Sequence, residues 1–264
     1  MLHATLSAYV LVGLLMAIIL YKILSARAGK QLFIRRIPGL SAIDEAVGRG
    51  TELGRPMLFS MGLSGLGIVA IQALSILGHI IKVAARYRTR ILIPVADPVL
   101  YTIAEEAARD AYESEGAPEA FNRDDVMFLT GDQFAYASGV VGILNREKVS
   151  SVFYFGDFYA ESLILAENGQ QVGAIQVAGT PQIMQIPFFI AACDYTIIGD
   201  EYYAASAYLS REPTLLGSLV GQDFGKAIIL GIIIIGVISA GVLSITTNSA
   251  IDAMLIRFIN AFGG

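Results

Sequence analysis

Apolar positions along this chain fall into two kinds of run, long ones at the ends and short ones between. Met1 to Tyr21 contains no Asp, Glu, Lys or Arg, and Leu6 to Leu20 is nearly all aliphatic. A helix of about 20 such residues crosses a hydrocarbon core of about 30 Å. The bases follow this run, at Lys22, Arg27, Lys30, Arg35 and Arg36. A secretory leader places them before it and ends at a small-residue cleavage site, so the order predicts an uncleaved anchor. At the other end Lys226 introduces a second uncharged run, Ala227 to Ile251. Its glycines, Gly231, Gly236 and Gly241, recur every five residues and so make no stripe at every fourth position.

A third stretch, Pro56 to Ile81, is also free of Asp, Glu, Lys and Arg. Basic clusters flank it on both sides: Lys22 to Arg55 before it, and Lys82, Arg86, Arg88 and Arg90 after it. A crossing there would put one cluster outside, against the positive-inside tendency. Its interior also reads as a strand (MLFSM), a glycine turn (GLSGLG) and a helix, so we assign it to the soluble body. Two spans then leave both termini outside and residues 26 to 224 in the cytoplasm. Of 18 Lys and Arg, only Arg257 lies beyond the second span. After that span, Ile251, Met254, Leu255, Phe258, Ile259 and Phe262 recur at helical spacing and predict a short amphipathic helix.

The middle alternates short apolar runs with helical ones. Strands are predicted at 57–61, 90–95, 126–130, 151–155, 174–178 and 195–199, and helices near 66–87, 98–115, 133–146, 158–168, 181–192 and 201–210. Short, almost wholly apolar strands separated by helices imply a parallel sheet covered on both faces. The expected class is α/β, a Rossmann-like, doubly wound and mainly parallel sheet flanked by N- and C-terminal transmembrane helices. The expected segments are an anchor (1–25), a basic juxtamembrane stretch (26–56), the cytoplasmic α/β domain (57–224), a transmembrane helix (225–248) and the amphipathic end (249–264).

Three strand ends share one pattern: TGDQFAYAS from Thr130, FGDFYAES from Phe155 and IGDEYYAAS from Ile198. A fourth, PVADPVL, sets Asp97 before Pro98. Asp suits the cap of the following helix, Gly relaxes the turn and Pro suits the first helical position. In a parallel sheet Asp97, Asp132, Asp157 and Asp200 would line the carboxyl edge, where doubly wound proteins bind ligands. Capping is the simpler reading. A polar-ligand or divalent-cation site using these aspartates with Glu161 is the sharper one. The loop after the first strand offers Gly62, Ser64, Gly65 and Gly67, whose backbone could hold a phosphate at a helix start. Its order is G-x-x-G-x-G, not the dinucleotide G-x-G-x-x-G, and no Walker lysine follows. A tight turn that packs the helix on the sheet is the simpler account.

Charge and composition narrow the classes. Net charge is −5, which gives a nucleic-acid partner little electrostatic support. Mean hydropathy is +0.63, with 55% of residues hydrophobic, and the excess sits at the two ends. The single cysteine, Cys193, excludes an intrachain disulfide. His3 and His79 are the only histidines, and no G-x-S-x-G elbow accompanies them. No cofactor is indicated.

The stretches DQFAYASGVVGIL (132–144), DFYAESLILAE (157–167) and PFFIAACDYTIIGDEYYAASAYLSREP (187–213) resemble a prokaryotic membrane-protein family known as a domain of unknown function. The resemblance spans roughly residues 30 to 250, including the order of anchor, soluble region and C-terminal span. It implies one coherent folded unit and brings no catalytic residue with it.

The leading expectation is a scaffold in the inner membrane of a prokaryotic cell, without catalysis, that forms a homo-oligomer. The chain has 12 Tyr and 13 Phe, but no Trp, for such contacts. Its expected partners are the lipid bilayer and further copies of itself. A membrane-anchored sensor of a nucleotide or small polar ligand, and a carboxylate- or metal-dependent enzyme, stand as alternatives.

Overall fold

The computed structural model describes residues 6–30 and 38–245; the amphipathic segment expected at 249–264 lies outside them. Element order is α1 (Leu6–Arg27), α2 (Pro38–Leu53), β1 (Met57–Gly62), α3 (Ile68–Arg86), β2 (Ile91–Val95), α4 (Pro98–Ser114), β3 (Val126–Phe128), α5 (Gln133–Glu147), β4 (Ser151–Asp157), α6 (Glu161–Val172), β5 (Ile175–Thr180), α7 (Ile186–Ala192), β6 (Tyr195–Ile198), α8 (Glu201–Ser210) and α9 (Pro213–Ile245). These elements form two compact units, one of residues 1–34 with 211–264 and the other of residues 35–210.

The larger unit is the expected α/β body. Its six strands are all parallel, in the order β3-β2-β1-β4-β5-β6. This is the Rossmann order, with the chain reversing its direction of travel between β1 and β4. Alternate residues of each strand serve opposite faces. Met57, Phe59 and Met61 of β1, with Phe153 and Phe155 of β4, meet α2, α3, α4 and α8. Leu58, Val152 and Tyr154 point the other way, among residues of α5, α6 and α7. Both faces being covered explains why the strands read as unbroken apolar runs.

Helix α2 lies in a segment whose charges and glycines hide its pattern. Ala42, Ile43, Ala46 and Val47 form one buried face, and Ser151 of β4 donates its hydroxyl to the Ala46 carbonyl at 2.7 Å. Spacing of this kind marks an amphipathic helix. The α/β unit therefore begins ahead of β1 and includes part of the basic juxtamembrane stretch.

At the centre, β1 and β4 approach until only glycine fits. A Cβ on Gly62, whose φ is +63°, would stand 2.2 Å from the Asp157 carbonyl oxygen, and one on Gly156 would stand 2.1 Å from that of Met61. Glycine is required there by contact as well as by backbone angle.

The smaller unit is an antiparallel helical hairpin. Gly217, Gly221 and Gly225 of α9 face Ile23, Ile19 and Leu15 of α1 in turn. A Cβ on the first two would come within 2.6 Å and 2.9 Å of the α1 backbone. This is a small-xxx-small contact, by which helices close to backbone distance. It lies N-terminal to the glycines at 231, 236 and 241, which have open space around them. At the hairpin's base, Lys22 sits 3.8 Å from the centre of the Phe224 ring, and Arg27 donates to Thr214 Oγ1 at 3.2 Å.

Among the described residues three helical stretches are long and apolar enough to cross a membrane, Ala8–Arg27, Ile68–Arg86 and Pro213–Ser239. Half of the middle one is buried inside the fold, against none of the first and 11% of the last. That burial separates a core helix from the other two.

The packing at β1 predicts a contrast between two glycines with the same φ of +63°. Gly62→Ala meets backbone and should cost about 2–4 kcal/mol of stability. Gly54→Ala meets nothing within 4 Å and should cost about 1 kcal/mol. Urea unfolding of the full chain in detergent, followed by far-ultraviolet circular dichroism, measures both.

Candidate functional site

The carboxyl edge of the sheet, at the β1/β4 reversal, is where a ligand would sit in a doubly wound fold. The loop after β1 arrives there, and Ser64 ties it down. The Ser64 hydroxyl donates to the Met61 carbonyl and accepts from the Asp157 amide, both at 2.7 Å, while Leu63 N–H donates to the Asp157 carbonyl at 2.9 Å. These bonds, with Gly62 and Gly156, zip the two strand ends together. Gly65 and Gly67 form the exposed tip. Gly67 opens α3 with an extended backbone and no side-chain cap.

The aspartates divide by role. Asp97 accepts from Val99 N–H at 2.8 Å and Leu100 N–H at 2.9 Å, and so caps α4. Asp132 accepts from Ala135 N–H at 2.9 Å and caps α5. Asp157, despite sharing the Gly-Asp-aromatic pattern, ends β4 four residues before α6 and caps nothing. Its carboxylate accepts from the Gln182 side chain at 3.1 Å, joining the loops after β4 and β5. Asp200 directly precedes α8, and its carbonyl accepts from Tyr203 N–H at 3.2 Å. One sequence pattern thus covers two local geometries, because an extra turn of loop after Asp157 moves the helix start to Glu161, whereas Asp132 and Asp200 directly precede their helices.

Glu161 is fully buried. Its carboxylate accepts from Tyr159 N–H at 2.9 Å and from the Gln133 amide at 2.7 Å, linking the starts of α5 and α6. Beneath it Tyr136 shares a 2.9 Å hydrogen bond with Ser60 and donates to the Pro94 carbonyl at 3.1 Å. Burial raises the Tyr136 phenol well above its usual range; the Ser60 bond opposes this and the charge of Glu161 adds to it. Burial also raises Tyr203, with Asp157 and then Asp200 contributing. The structure therefore brings Ser64, Asp157 and Gln182 to the reversal point, and leaves Asp97 and Asp132 at their helix starts.

The family model described as a domain of unknown function, DUF6754, matches residues 2–251. The chain belongs to the DUF6754 family. No curated protein and no solved structure matches it. The family match covers α1, the whole α/β unit and α9, so both units belong to the DUF6754 pattern.

Charge separates the two edges of this DUF6754 fold, a feature not singled out in the sequence. Between residues 38 and 210 the Lys and Arg residues are Arg49, Arg55, Lys82, Arg86, Arg88, Arg90, Arg109, Arg123, Arg146 and Lys148. Each lies in the second half of a helix or in a helix-to-strand connection, at or toward the amino edge. There several join acidic partners, as Arg86 does Glu115 at 2.9 Å and Arg123 does Glu105 at 3.2 Å. The carboxyl edge holds the aspartates instead, with exposed Leu66, Ile68, Val99, Phe134, Tyr159, Ile183, Met184 and Ile198. Every strand-to-helix junction, taken from the last residue of the strand to the first turn of the helix, contributes one or more of these apolar residues. Cys193 lies away from this chemistry, its thiol pushed up to about 12 by burial with Asp194 adding. Such a thiol is a poor nucleophile at neutral pH.

The capping assignment is testable. Asp132→Ala should cost about 0.5–2 kcal/mol of stability. Asp157→Ala loses only the exposed bond to Gln182 and should cost about 0.5 kcal/mol or less. Equal losses in urea unfolding would show that Asp157 carries structural weight beyond that contact.

Proposed function

We propose that this chain is a membrane-anchored, self-associating scaffold that presents a Rossmann-like domain and performs no catalysis. In this reading α1 and α9 cross the inner membrane of a prokaryotic cell, both termini lie outside and the α/β unit is cytoplasmic. The apolar lengths of the two helices and the basic residues gathered between them support this placement.

The carboxyl edge carries the proposal. Where a small-ligand fold leaves an open crevice, Ser64 and the glycines of β1 and β4 close the strand ends on each other. Around that closure stands a belt of exposed apolar side chains, with Ile183 at 75% and Met184 at 80% exposure. Exposed apolar side chains at every strand-to-helix junction of one edge suit a protein contact. Among the described residues of the α/β unit, that edge has no Lys or Arg to neutralise a phosphate.

A second reading, binding of a nucleotide or small polar ligand, draws on the Rossmann strand order and the uncapped start of α3. A thermal-shift screen with nucleotides and divalent cations distinguishes it: the scaffold reading expects no stabilisation, and a concentration-dependent rise in Tm would favour the sensor.

The direct test is sedimentation of the detergent-solubilised chain at micromolar concentration. We expect a protein mass that is a multiple of 28.2 kDa. With Ile183→Asp and Met184→Asp combined, the association should weaken about tenfold or more, equivalent to about 1.4 kcal/mol. A monomer in the unsubstituted protein would overturn the proposal.

A further inference from the structure

The amino edge of the α/β unit gathers its bases at the middle strands. The segments that lead into β1 (50–56), β2 (83–90) and β4 (144–150) hold six of them, Arg55, Arg86, Arg88, Arg90, Arg146 and Lys148, against two acids, Glu52 and Glu147. Strand pairing sets the three segments side by side: Met57 N–H donates to the Arg90 carbonyl and Ser150 N–H to the Pro56 carbonyl, both at 2.9 Å. Glu115, Glu119 and Asp125 approach from between α4 and β3 and pair with Arg86, Arg88 and Arg90. Arg55 and Lys148 are exposed and have no acidic partner among the described residues.

Further features single this edge out. Leu53 and Tyr87 are both exposed, and each has arginine close beside it, in Leu53-Gly54-Arg55 and Arg86-Tyr87-Arg88. Among the described residues, three that are not glycine hold a left-handed backbone: Arg88 (φ +54°), Lys148 (φ +48°) and Arg211 (φ +53°). Each is a base within two residues of a helix end. Glycine takes that conformation without strain, as Gly54 does before β1. The helix dipole favours a base in the last turn but does not require it at the left-handed position itself. Strain kept at such a position points to use of the side chain. The chain also leaves the unit at this edge. Helix α8 starts level with α3, where Tyr202 donates to the Val69 carbonyl at 2.6 Å, and packs along it. It ends at Ser210, and the apolar helix α9 begins at Pro213.

We propose that this edge rests on the surface of the bilayer, with Arg55, Arg88 and Lys148 against anionic lipid headgroups and Leu53 and Tyr87 in the interfacial layer. Bases beside an exposed tyrosine and leucine match that layer, which is negative at the phosphates and apolar just beneath them. Tyrosine suits it because the ring is apolar and the hydroxyl stays wet. The chain's own apolar helices keep such a surface within reach, whereas its net charge of −5 disfavours a nucleic acid. The inference rests on the membrane anchoring proposed above and adds which edge of the α/β unit lipid touches. It leaves the carboxyl edge to a protein neighbour.

The chain contains no tryptophan, so a single introduced one reports a single place. Tyr87→Trp and Met184→Trp mark the two edges in the full chain. Each is reconstituted into phosphatidylcholine vesicles, with or without phosphatidylglycerol, that carry a nitroxide on the headgroup. With phosphatidylglycerol present, Tyr87→Trp should be quenched several-fold more strongly than Met184→Trp. Adding Arg55→Glu and Lys148→Glu should lower that quenching about twofold or more, with the far-ultraviolet circular dichroism unchanged. Equal quenching at the two edges, or quenching indifferent to either phosphatidylglycerol or the charge reversals, would overturn the contact. So would shielding of Tyr87→Trp from both the nitroxide and aqueous acrylamide, which would place a protein there. Flotation separates the failures: a chain that floats with the vesicles yet shows no difference between edges overturns only this contact. A chain that does not float overturns the anchoring, and the contact with it.

Discussion

The position of β1 at the centre of the sheet governs the rest of the molecule. It is hydrogen-bonded to β2 on one side and β4 on the other, and the inward faces of α3 cover it. Residues 57–86 could by length and hydropathy belong to a bilayer. Placed there, the sheet would lose its middle strand, β2 and β4 would lose their shared neighbour, and α3 would leave a hole in the larger core. Ala70, Ala73, Ile76, Leu77, Ile80 and Ala84 are completely buried by protein, which removes the need for lipid around them. The integrity of the α/β unit follows from this one strand being paired on both edges.

Much of the fold was legible because buried parallel strands and their helices have strong local signatures. The runs MLFSM, ILIPV and SVFYF are short, apolar and bounded by polar or turn residues, which marks buried strands, and Asp97-Pro98 fixes the start of α4 to the residue. Strand order was not legible, since the crossover rule sets handedness and leaves the choice of neighbour open. Helix α2 escaped because Gly48 and Gly50 and the surrounding charges dilute a four-residue apolar face. Gly217, Gly221 and Gly225 escaped for a different reason. They precede the longest apolar run, and spacing was sought inside it, at Gly231, Gly236 and Gly241. The signal was present in the sequence, one turn after another at every fourth residue.

At the candidate site, the pattern shared by Asp132, Asp157 and Asp200 promised one role, and Asp157 departs from it. A helix that begins at once after the aspartate can be capped by it; one that begins four residues later cannot. Exposure of Ile183 and Met184, and the gathering of the basic residues between 38 and 210 toward the opposite edge, could not be read without strand direction. Once direction is known, position in a helix decides the edge. The α/β unit thus presents an apolar and acidic rim at its carboxyl edge, a surface suited to a protein neighbour.

Site-directed cysteine labelling in sealed membranes, in a chain lacking Cys193, tests the central claim most directly. Reporter cysteines at residues 30 and 120 would be probed with a membrane-impermeant maleimide from each side. A paired central β1 with two spans predicts that both residues react from the same side. Reaction of residue 30 from one side and residue 120 from the other would mean that residues 57–86 cross the bilayer, and the sheet described here could not exist.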